Sequence, residues 1–413
     1  MAYEDGMSSS KRNSVFAPGV LVRLQYACYL FVGLVVTMLL RGSLQGVFSR
    51  VSILEKGCEY AASGDTNYCT GEVLVYRVSF ALMLFFLLHW LSVSDLTCCI
   101  ESEARAEFQK RFFFAKSIIL VLLFIITFWI PNSFFSVYAY VCMFASAIFL
   151  LVNVVFLVDF SYQWSDDWGQ RAEHSGKWMW YLLAIALLSY LGGIAMSVVS
   201  FVMYVPHSDC NYNAFALSSV LVSGLVYTVL SVWVPHGSVV PSGIVFLYTS
   251  SMMFVTLRTD TNPHCNRLAQ TPGRPAPILQ MILASVVSGA ALGYSVVSAG
   301  GNRDALRLGR SHEDGDGSVS DHEDEEDPDE SGHLGRYMFL HATMMLGSMY
   351  LAMLATGWHV SGAGTDTMLG SINVAFWVRS TTVWMAVLLY IWSLLAPYYC
   401  CRDRDFGFAV DDW

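Results

Sequence analysis

Long apolar stretches separated by short polar segments are the main pattern of this sequence. A helix that crosses about 30 Å of hydrocarbon needs about 20 residues. Ten stretches reach or approach that length: Val20–Leu40, Val73–Val93, Phe112–Ile130, Phe134–Val158, Trp178–Val205, Phe215–Val234, Val239–Leu257, Ile278–Val297, Tyr337–Val360 and Val374–Ala396. Strands of a membrane barrel would instead alternate over segments of about ten residues. The pattern therefore predicts an all-α polytopic membrane protein with about ten transmembrane helices.

The polar segments divide the chain into five parts. We predict a cytoplasmic N-terminal tail (1–19), eight spans (20–299), an acidic cytoplasmic loop (300–336), two further spans (337–400) and a cytoplasmic C-terminal tail (401–413). The first apolar run is longer than the core of a cleavable signal peptide. We therefore expect it to remain as a signal anchor.

The composition agrees with this pattern. Hydrophobic residues make up 55% of the chain and charged residues 14%, and the mean hydropathy is +0.49. Soluble domains average about 45–50% apolar and about 25% charged residues. These values exclude a soluble globular enzyme, a disordered chain and a module that binds nucleic acid.

The formal net charge of −10 comes almost entirely from one segment. Between Ser311 and Glu330 there are eleven Asp and Glu residues and no Lys or Arg, so the rest of the chain carries +1. Such a composition buries too little apolar surface to fold, and we expect the loop to be disordered. Ser318 and Ser320 precede a run of acids and are candidate phosphorylation sites. The loop is either a docking segment for a cytoplasmic sorting adaptor or enzyme, or a charged spacer.

The distribution of lysine and arginine predicts the orientation. Basic residues concentrate in cytoplasmic loops. With the N-terminus inside, fifteen lysines and arginines lie on the inner side and eight on the outer side. We therefore predict that both termini and the acidic loop face the cytoplasm.

The cysteines agree with this orientation. Cys58, Cys69, Cys210 and Cys265 fall in loops on the outer, oxidising side, where disulfides persist. Three pairings are possible; we favour Cys58–Cys69 with Cys210–Cys265, and four unpaired thiols are the alternative. Two adjacent pairs at inner membrane edges are either palmitoylation sites or tolerated cysteines: Cys98, Cys99, Cys400 and Cys401.

Polar side chains at membrane depth are costly and usually face a protein interior. Candidates for a lipid path or for contacts between helices are Arg77, His89, Asn153, Asp159, His341 and Arg379. Arg77 and Arg379 lie near enough to span ends for extension toward the headgroups to be an alternative. For Asn153 and His341 we favour structural hydrogen bonds over chemistry.

Asp159 ends an apolar run, and helical geometry points its carboxylate away from the indoles of Trp164 and Trp168. We expect it to face protein and to be paired with a cation that fixes the long fourth span. The candidates on the inner side are Lys116, Lys177 and Arg402.

No motif for catalysis is recognisable. The chain has no phosphate-binding glycine loop and no nucleophile elbow. The spacing of His312, His322 and His333 matches no metal site. We therefore predict that the protein is not an enzyme and holds no metal and no cofactor.

Several segments resemble the serine incorporator (SERINC/TMS) family. Asp159-Phe-Ser-Tyr-Gln-Trp-Ser-Asp-Asp-Trp168 is similar to the family signature D-F-x-x-x-W-x-x-x-W. Further matches stand in family order: Tyr76-Arg-Val-Ser-Phe80, Phe128-Trp-Ile-Pro131, Ser348-Met-Tyr350 with Thr356-Gly-Trp358, and Phe376-Trp-Val-Arg379 with Ala396-Pro397 and Arg404-Asp-Phe406. The outer elements Asp209-Cys-Asn and His264-Cys-Asn are also similar. Arg379 stands where the family commonly has lysine.

The resemblance implies two helix bundles crossed by a long tilted fourth helix, in the endomembrane system or plasma membrane. From Phe134 to Trp168 the chain has 35 residues without proline or interior glycine, which suits an oblique crossing. The implied function is phospholipid handling, with phosphatidylserine and sphingolipids as partners: lipid scrambling, or support of serine incorporation into these lipids.

Three classes of function remain open. A scrambling path could be lined by polar residues that include Ser79, Ser92, Ser94, Ser146, Asn153 and Ser161, although serine in spans often only joins helices. The alternatives are a secondary transporter of serine or another small solute, and a scaffold that recruits lipid-synthetic enzymes through the acidic loop.

Overall fold

The computed structural model describes residues 18–42, 66–94, 102–234, 237–260, 262–268, 334–358 and 365–399. These residues form ten α-helices and no strand: α1 (Pro18–Gly42), α2 (Thr66–Val93), α3 (Ser102–Lys110), α4 (Phe113–Ile126), α5 (Asn132–His174), α6 (Gly176–Tyr204), α7 (Asn211–Trp233), α8 (Val239–Leu257), α9 (Leu334–Thr356) and α10 (Thr365–Tyr399). A 3-10 turn, Thr127–Trp129, follows α4.

The predicted spans correspond closely to these helices. Each predicted span that falls within the described residues overlaps one helix. Helix α8 has the predicted bounds Val239–Leu257, whereas α5 continues past the predicted end at Val158 to His174. Seven of the helices are long and apolar enough to cross a membrane, and α1 and α4 contain shorter apolar stretches. The all-α multi-pass prediction is therefore confirmed. The eighth predicted span, Ile278–Val297, lies outside the described residues.

Helix α3 was not expected from the apolar pattern. Its sequence, Ser-Glu-Ala-Arg-Ala-Glu-Phe-Gln-Lys, is too polar and too short for a span. It contacts α1, α2 and α9 at one end of the molecule. Gln109 of this helix is buried. Glu107 is exposed and forms an ion pair with Arg111, the residue after the helix. The helix thereby adds a polar side chain to an otherwise apolar bundle.

The helices form two groups that share α5. In the first group, α2 packs on α1, α4 and α9; in the second, α8 packs on α6, α7 and α10. Helix α5 contacts α2 and α9 of the first group and α6, α8 and α10 of the second. We call the interface between the groups the seam. At 43 residues, α5 is about 65 Å long, which agrees with a long fourth span shared by two bundles.

Large apolar side chains lie both inside and outside these groups. Phe85 and Phe149 are fully buried in the first group, and Val245 in the second, whereas Leu188 and Val229 are exposed. A helix that is apolar all round has lipid rather than water around it. Near the end of α5, Trp164, Trp168, Trp178 and Tyr181 contact one another ring against ring, as a belt at the membrane interface does.

One disulfide joins two connecting segments. Cys210, before α7, is bonded to Cys265, after α8, with a Cα–Cα distance of 5.6 Å. We call this side of the molecule the disulfide end. Cys58 and the side chain of Cys69 lie outside the described part of the chain, as do Cys98, Cys99, Cys400 and Cys401. The same holds for residues 1–17 and 401–413 and for the acidic segment with Ser318 and Ser320.

Candidate functional site

Segments that resemble the family pattern meet on the disulfide side of the first group. Tyr76 Oη lies 3.3 Å from Thr356 Oγ1, and Ser79 Oγ donates to the Ser348 carbonyl over 2.8 Å. Ser79 Oγ also lies 3.1 Å from Tyr138 Oη on α5. These contacts join α2, α5 and α9. The motif segments Tyr76–Phe80 and Ser348–Trp358 therefore meet in the folded protein.

Arg77 is fully buried in this network. Its terminal nitrogens donate to the Thr127 carbonyl, to the Ile130 carbonyl over 3.0 Å and to Asn132 Oδ1 over 2.6 Å. The two carbonyls lie at the C-terminal, negative end of α4 and its 3-10 turn, which favours a cation. The guanidinium also lies 4.5 Å from the Phe135 ring centroid. Arg77 therefore joins α2 to the α4–α5 connection and does not extend to the headgroups.

Arg379 of α10 lies against the end of α9. Gly357 and Trp358 have φ values of 66° and 68°, and the Trp358 amide donates to the Met353 carbonyl over 3.0 Å. This left-handed termination turns the indole under the guanidinium, whose Cζ is 5.2 Å from the ring centroid. Arg379 is 5% exposed. It too is held within the protein and does not extend to the headgroups.

The guanidinium of Arg379 lacks the acceptors that surround Arg77. Its Nε is buried without a hydrogen-bond partner, and no carboxylate among the described residues forms an ion pair with it. Tyr204 at the end of α6 and Tyr350 on α9 lie close enough to interact with it electrostatically. The Tyr204 hydroxyl is likewise buried without a partner. Arg379 thus occupies the seam, between residues of both groups.

Asn153 lies at the seam on the shared helix. Its neighbours Leu150 and Val154 belong to the apolar clusters of the first and second group respectively. The side chain is 8% exposed, and its Oδ1 has no partner among the described residues. The expected hydrogen bond from Asn153 to another helix is therefore not found in this part of the structure.

The serines proposed to line a lipid path are engaged inside the protein. Ser146 and Ser161 donate to the Cys142 and Leu157 carbonyls of their own helix, both over 2.5 Å. Ser92 and Ser94 likewise donate to backbone carbonyls of α2, and Ser79 donates to α9. These bonds favour the alternative that the serines only join helices, and the lining of a lipid path stays a prediction.

A second polar network lies at the end opposite the disulfide. Lys116 of α4 is 4% exposed and donates to Tyr26 Oη over 2.9 Å and to the Gln109 carbonyl over 2.8 Å. Tyr26 donates in turn to Gln109 Oε1 over 2.6 Å, and Gln109 Nε2 donates to Ser92 Oγ over 3.2 Å. Lys116 is therefore bound inside the first group and is not the partner of Asp159.

Both intramembrane histidines belong to this second network. His341 Nε2 donates to Gln109 Oε1 over 3.0 Å, which is a hydrogen bond between α9 and α3. His89 Nδ1 donates to the Phe85 carbonyl of its own helix over 2.8 Å. The two rings are 5.4 Å apart and contact Tyr26. Both roles fit the neutral imidazole, in which one nitrogen carries the proton.

Asp159 accepts a hydrogen bond from Gln163 Nε2 over 3.0 Å, one turn along α5. Trp164 stacks on Phe160 on a different face of the helix, which agrees with the predicted separation of carboxylate and indole. Of the cations considered as partners, Lys116 is bound elsewhere and Arg402 lies outside the described residues. The ion pair remains a prediction.

A polar cavity of about 250 Å³ opens at the disulfide end. Its lining includes Asn211, Tyr212, Asn213, Asp260 and Asn373. Asp209, also in the lining, accepts a hydrogen bond from His264 Nε2 over 2.7 Å, and this bond lowers the pKa of its carboxyl group. Within the described ranges, no group of three or more His, Cys, Asp or Glu side chains is arranged to hold a metal ion.

Several residues of these networks were not recognised in the sequence. Gln109 lies in a charged stretch, and nothing in its surroundings indicates burial. The position of Lys116 on the inner side predicts a pairing with Asp159 and gives no sign of its bonds to Tyr26 and Gln109. The position of Tyr26 indicates a polar contact, because a tyrosine deep within an apolar span needs a hydrogen-bond partner for its hydroxyl.

Comparison with known proteins identifies the family. The family model described as "Serine incorporator (Serinc)" matches residues 6–404. A protein of Nematostella vectensis described as "Probable serine incorporator" is 29% identical over 93% of this chain and 91% of its own length. "Serine incorporator 3" of Bos taurus is 26% identical, covering 94% and 92%, and a "Probable serine incorporator" of Dictyostelium discoideum is 27% identical, covering 91% and 93%. The chain is a multi-pass membrane protein that belongs to the serine incorporator family.

Proposed function

We propose that this protein moves phospholipids between the two leaflets of an endomembrane or plasma membrane. One observation carries the proposal: polar atoms buried at the seam have no partner in the described part of the chain. They are Asn153 Oδ1, Tyr204 Oη and Arg379 Nε. Leaving such an atom unsatisfied costs about 1–3 kcal/mol. A headgroup that passes along the seam would supply the missing hydrogen-bond partners.

The arrangement of the two groups supports the same function. Asn153 lies in the middle of α5, whereas Tyr204 and Arg379 lie toward the disulfide end, so polar atoms occur at more than one depth. Phosphatidylserine and sphingolipids are the lipids that we propose as cargo. The protein would act by lowering the barrier to headgroup passage, and no bond is made or broken in this proposal.

The test is a transfer assay in liposomes. The full chain is reconstituted with a fluorescent phospholipid in both leaflets, and dithionite is added outside to reduce the accessible label. We expect the protein to make the inner-leaflet label accessible, whereas protein-free liposomes protect it. Protection equal to that of protein-free liposomes would refute the proposal.

A matched pair of variants on α5 sharpens the assay. Asn153→Leu removes the unsatisfied amide from the seam and should slow transfer. Ser146→Ala removes a hydroxyl that is bonded to its own helix and should leave the rate unchanged. Equal rates for Asn153→Leu and the wild type would show that the seam is not the path.

A second candidate function rests on the cavity at the disulfide end. Its carboxylates and amides are suited to the ammonium and carboxylate groups of a small amino acid, and the relatives are named as serine incorporators. We propose serine as its ligand, in support of serine incorporation into lipids. Calorimetric titration with L-serine tests this, with Asp260→Asn as the variant; heat of binding that is the same in both proteins would exclude the cavity.

A further inference from the structure

We infer that Arg379 and its surroundings form a binding site for a phosphate group, occupied in the membrane by the phosphodiester of a phospholipid headgroup. The inference rests on the proposed function and assigns to it a site and a ligand chemistry. A carboxylate would be a different ligand class and is an outcome of the test.

The first step of the argument is charge. Arginine stays protonated in proteins, and a buried cation without an anion is strongly destabilising. Arg379 is 5% exposed, and no carboxylate in the described ranges pairs with it. Arg77 and Lys116 are also buried without a carboxylate, but neutral oxygens accept hydrogen bonds from them. Arg379 has no such acceptor among the described residues, so we infer that its compensation comes from outside them.

The second step is the geometry of the contact with Trp358. The guanidinium carbon Cζ lies over the indole ring, 5.2 Å from the ring centroid, which is a cation–π contact. The five N–H donors of a guanidinium lie in its plane, and the cation–π contact uses none of them. The Nε of Arg379 is buried without a partner. A guanidinium whose donors are not used by described residues is suited to bidentate binding of a phosphate.

The third step is the position of the site. Arg379, on α10 of the second group, contacts the Trp358 ring at the end of α9 in the first group, so it bridges the two groups. Tyr350 of α9 and Tyr204 of α6 are near enough to interact with it electrostatically. The Tyr204 hydroxyl has no partner and could donate to the same anion. By the predicted orientation, the disulfide end faces the outer leaflet. The site is thus placed where an outer-leaflet headgroup would enter the seam.

The phosphate is shared by most phospholipid headgroups, so the site should not distinguish choline from serine. It should distinguish lipids that carry phosphate from those that do not. The same chemistry would bind free inorganic phosphate, and the experiment has to separate these two sources.

The experiment measures binding to the purified full chain in detergent, without vesicles. The probes are dihexanoylphosphatidylcholine, dihexanoylglycerol, inorganic phosphate and acetate. We expect the phosphatidylcholine to bind and dihexanoylglycerol to bind more weakly. Arg379→Gln should lower the affinity for dihexanoylphosphatidylcholine by about 30-fold or more. Arg379→Lys should lower it by less, because lysine keeps the charge but cannot form the bidentate contact of a guanidinium.

Arg111→Gln is the matched control. Arg111 is exposed and paired with Glu107 at the opposite end, so its loss should not change binding. If Arg379→Gln does not fold, the comparison of wild type with Arg379→Lys decides. Unchanged affinity in a folded Arg379 variant, or equal affinity for dihexanoylglycerol, would overturn the site.

The arms also separate the ligand sources. Displacement of phosphatidylcholine by millimolar inorganic phosphate would support a site for the phosphate group itself, and failure to displace it would support recognition of the whole headgroup. Displacement by acetate alone would overturn the phosphate assignment. If binding depends on Arg379 but the liposomes show no lipid transfer, the proposed function is refuted and the binding site stands. If the liposomes show transfer but binding does not depend on Arg379, only the binding site is refuted.

Discussion

Arg77 and Arg379 are both buried arginines, yet their surroundings differ. Arg77 donates to two carbonyls and an amide oxygen at the end of the α4 segment. Arg379 has an aromatic ring under its face and no acceptor among the described residues. The first arrangement completes a connection within the protein, whereas the second leaves donors for a ligand. The Nε of each arginine is buried without a partner, so the difference lies in the terminal nitrogens, which find protein acceptors only in Arg77.

The largest expected effect is the loss of stability on replacing Arg77. Arg77→Met leaves the Ile130 carbonyl and Asn132 without their donor, and hydrogen bonds to a charged group contribute about 1.5–3 kcal/mol each. We expect a loss of about 3–5 kcal/mol, measured as thermal unfolding in detergent. Arg379→Met should cost far less, because it breaks no hydrogen bond. Equal losses in the two variants would abolish the distinction between the arginines.

The next effect concerns the support of the Arg379 region. Cys210→Ser together with Cys265→Ser removes the disulfide, which should cost about 2–4 kcal/mol. Asn213 donates to the Tyr204 carbonyl over 2.9 Å, so this loosening should reach Tyr204 beside Arg379. We expect lower thermal stability and weaker phosphatidylcholine binding. The single variant Cys142→Ser, a buried free thiol, serves as a control for the thiol substitution.

A smaller effect is expected at Lys116, the buried cation of the opposite end. Lys116→Met removes a charged donor to the Gln109 carbonyl and to Tyr26 Oη, whereas Tyr26 keeps its own bond to Gln109 Oε1. The carbonyl is the group that loses its donor, so we expect a loss of about 1.5–3 kcal/mol in thermal unfolding and no change in lipid binding. Reduced phosphatidylcholine binding by this variant would show that the two ends are coupled.

The smallest effect is a pH dependence at the disulfide end. The hydrogen bond from His264 lowers the pKa of Asp209. The stabilisation is therefore present above the unfolded carboxyl pKa, about 3.9, and is lost as the pH falls through the folded value. Asp209→Asn should lower the unfolding temperature slightly at pH 6 and not at all in strong acid. A difference that grows on acidification would contradict this sign.

The sequence predicts the helices better than the networks. Apolar length predicts the bounds of α8, because hydrocarbon thickness sets the length of a span. It does not predict the end of α5, which continues past Val158 to His174. The length of apolar runs does not predict α3, because this helix is polar and packs through contacts with α1, α2 and α9. The sequence predicts that Arg77 and Arg379 are costly to bury in the membrane. It does not predict the difference between their surroundings, because that too depends on tertiary contacts. That difference depends on the acceptors Thr127, Ile130 and Asn132, which only the fold brings to Arg77.

The packing of α2 on α9 has a consequence for the order of synthesis. The ribosome completes α2 long before α9 exists, yet Ser79 and Tyr76 find their partners Ser348 and Thr356 on α9. The first helix group therefore cannot close until nearly the whole chain has been inserted. Until then its polar side chains face lipid, translocon or a membrane chaperone. A chain truncated before α9 should consequently be recognised as unfinished and degraded, although most of its spans have already been made.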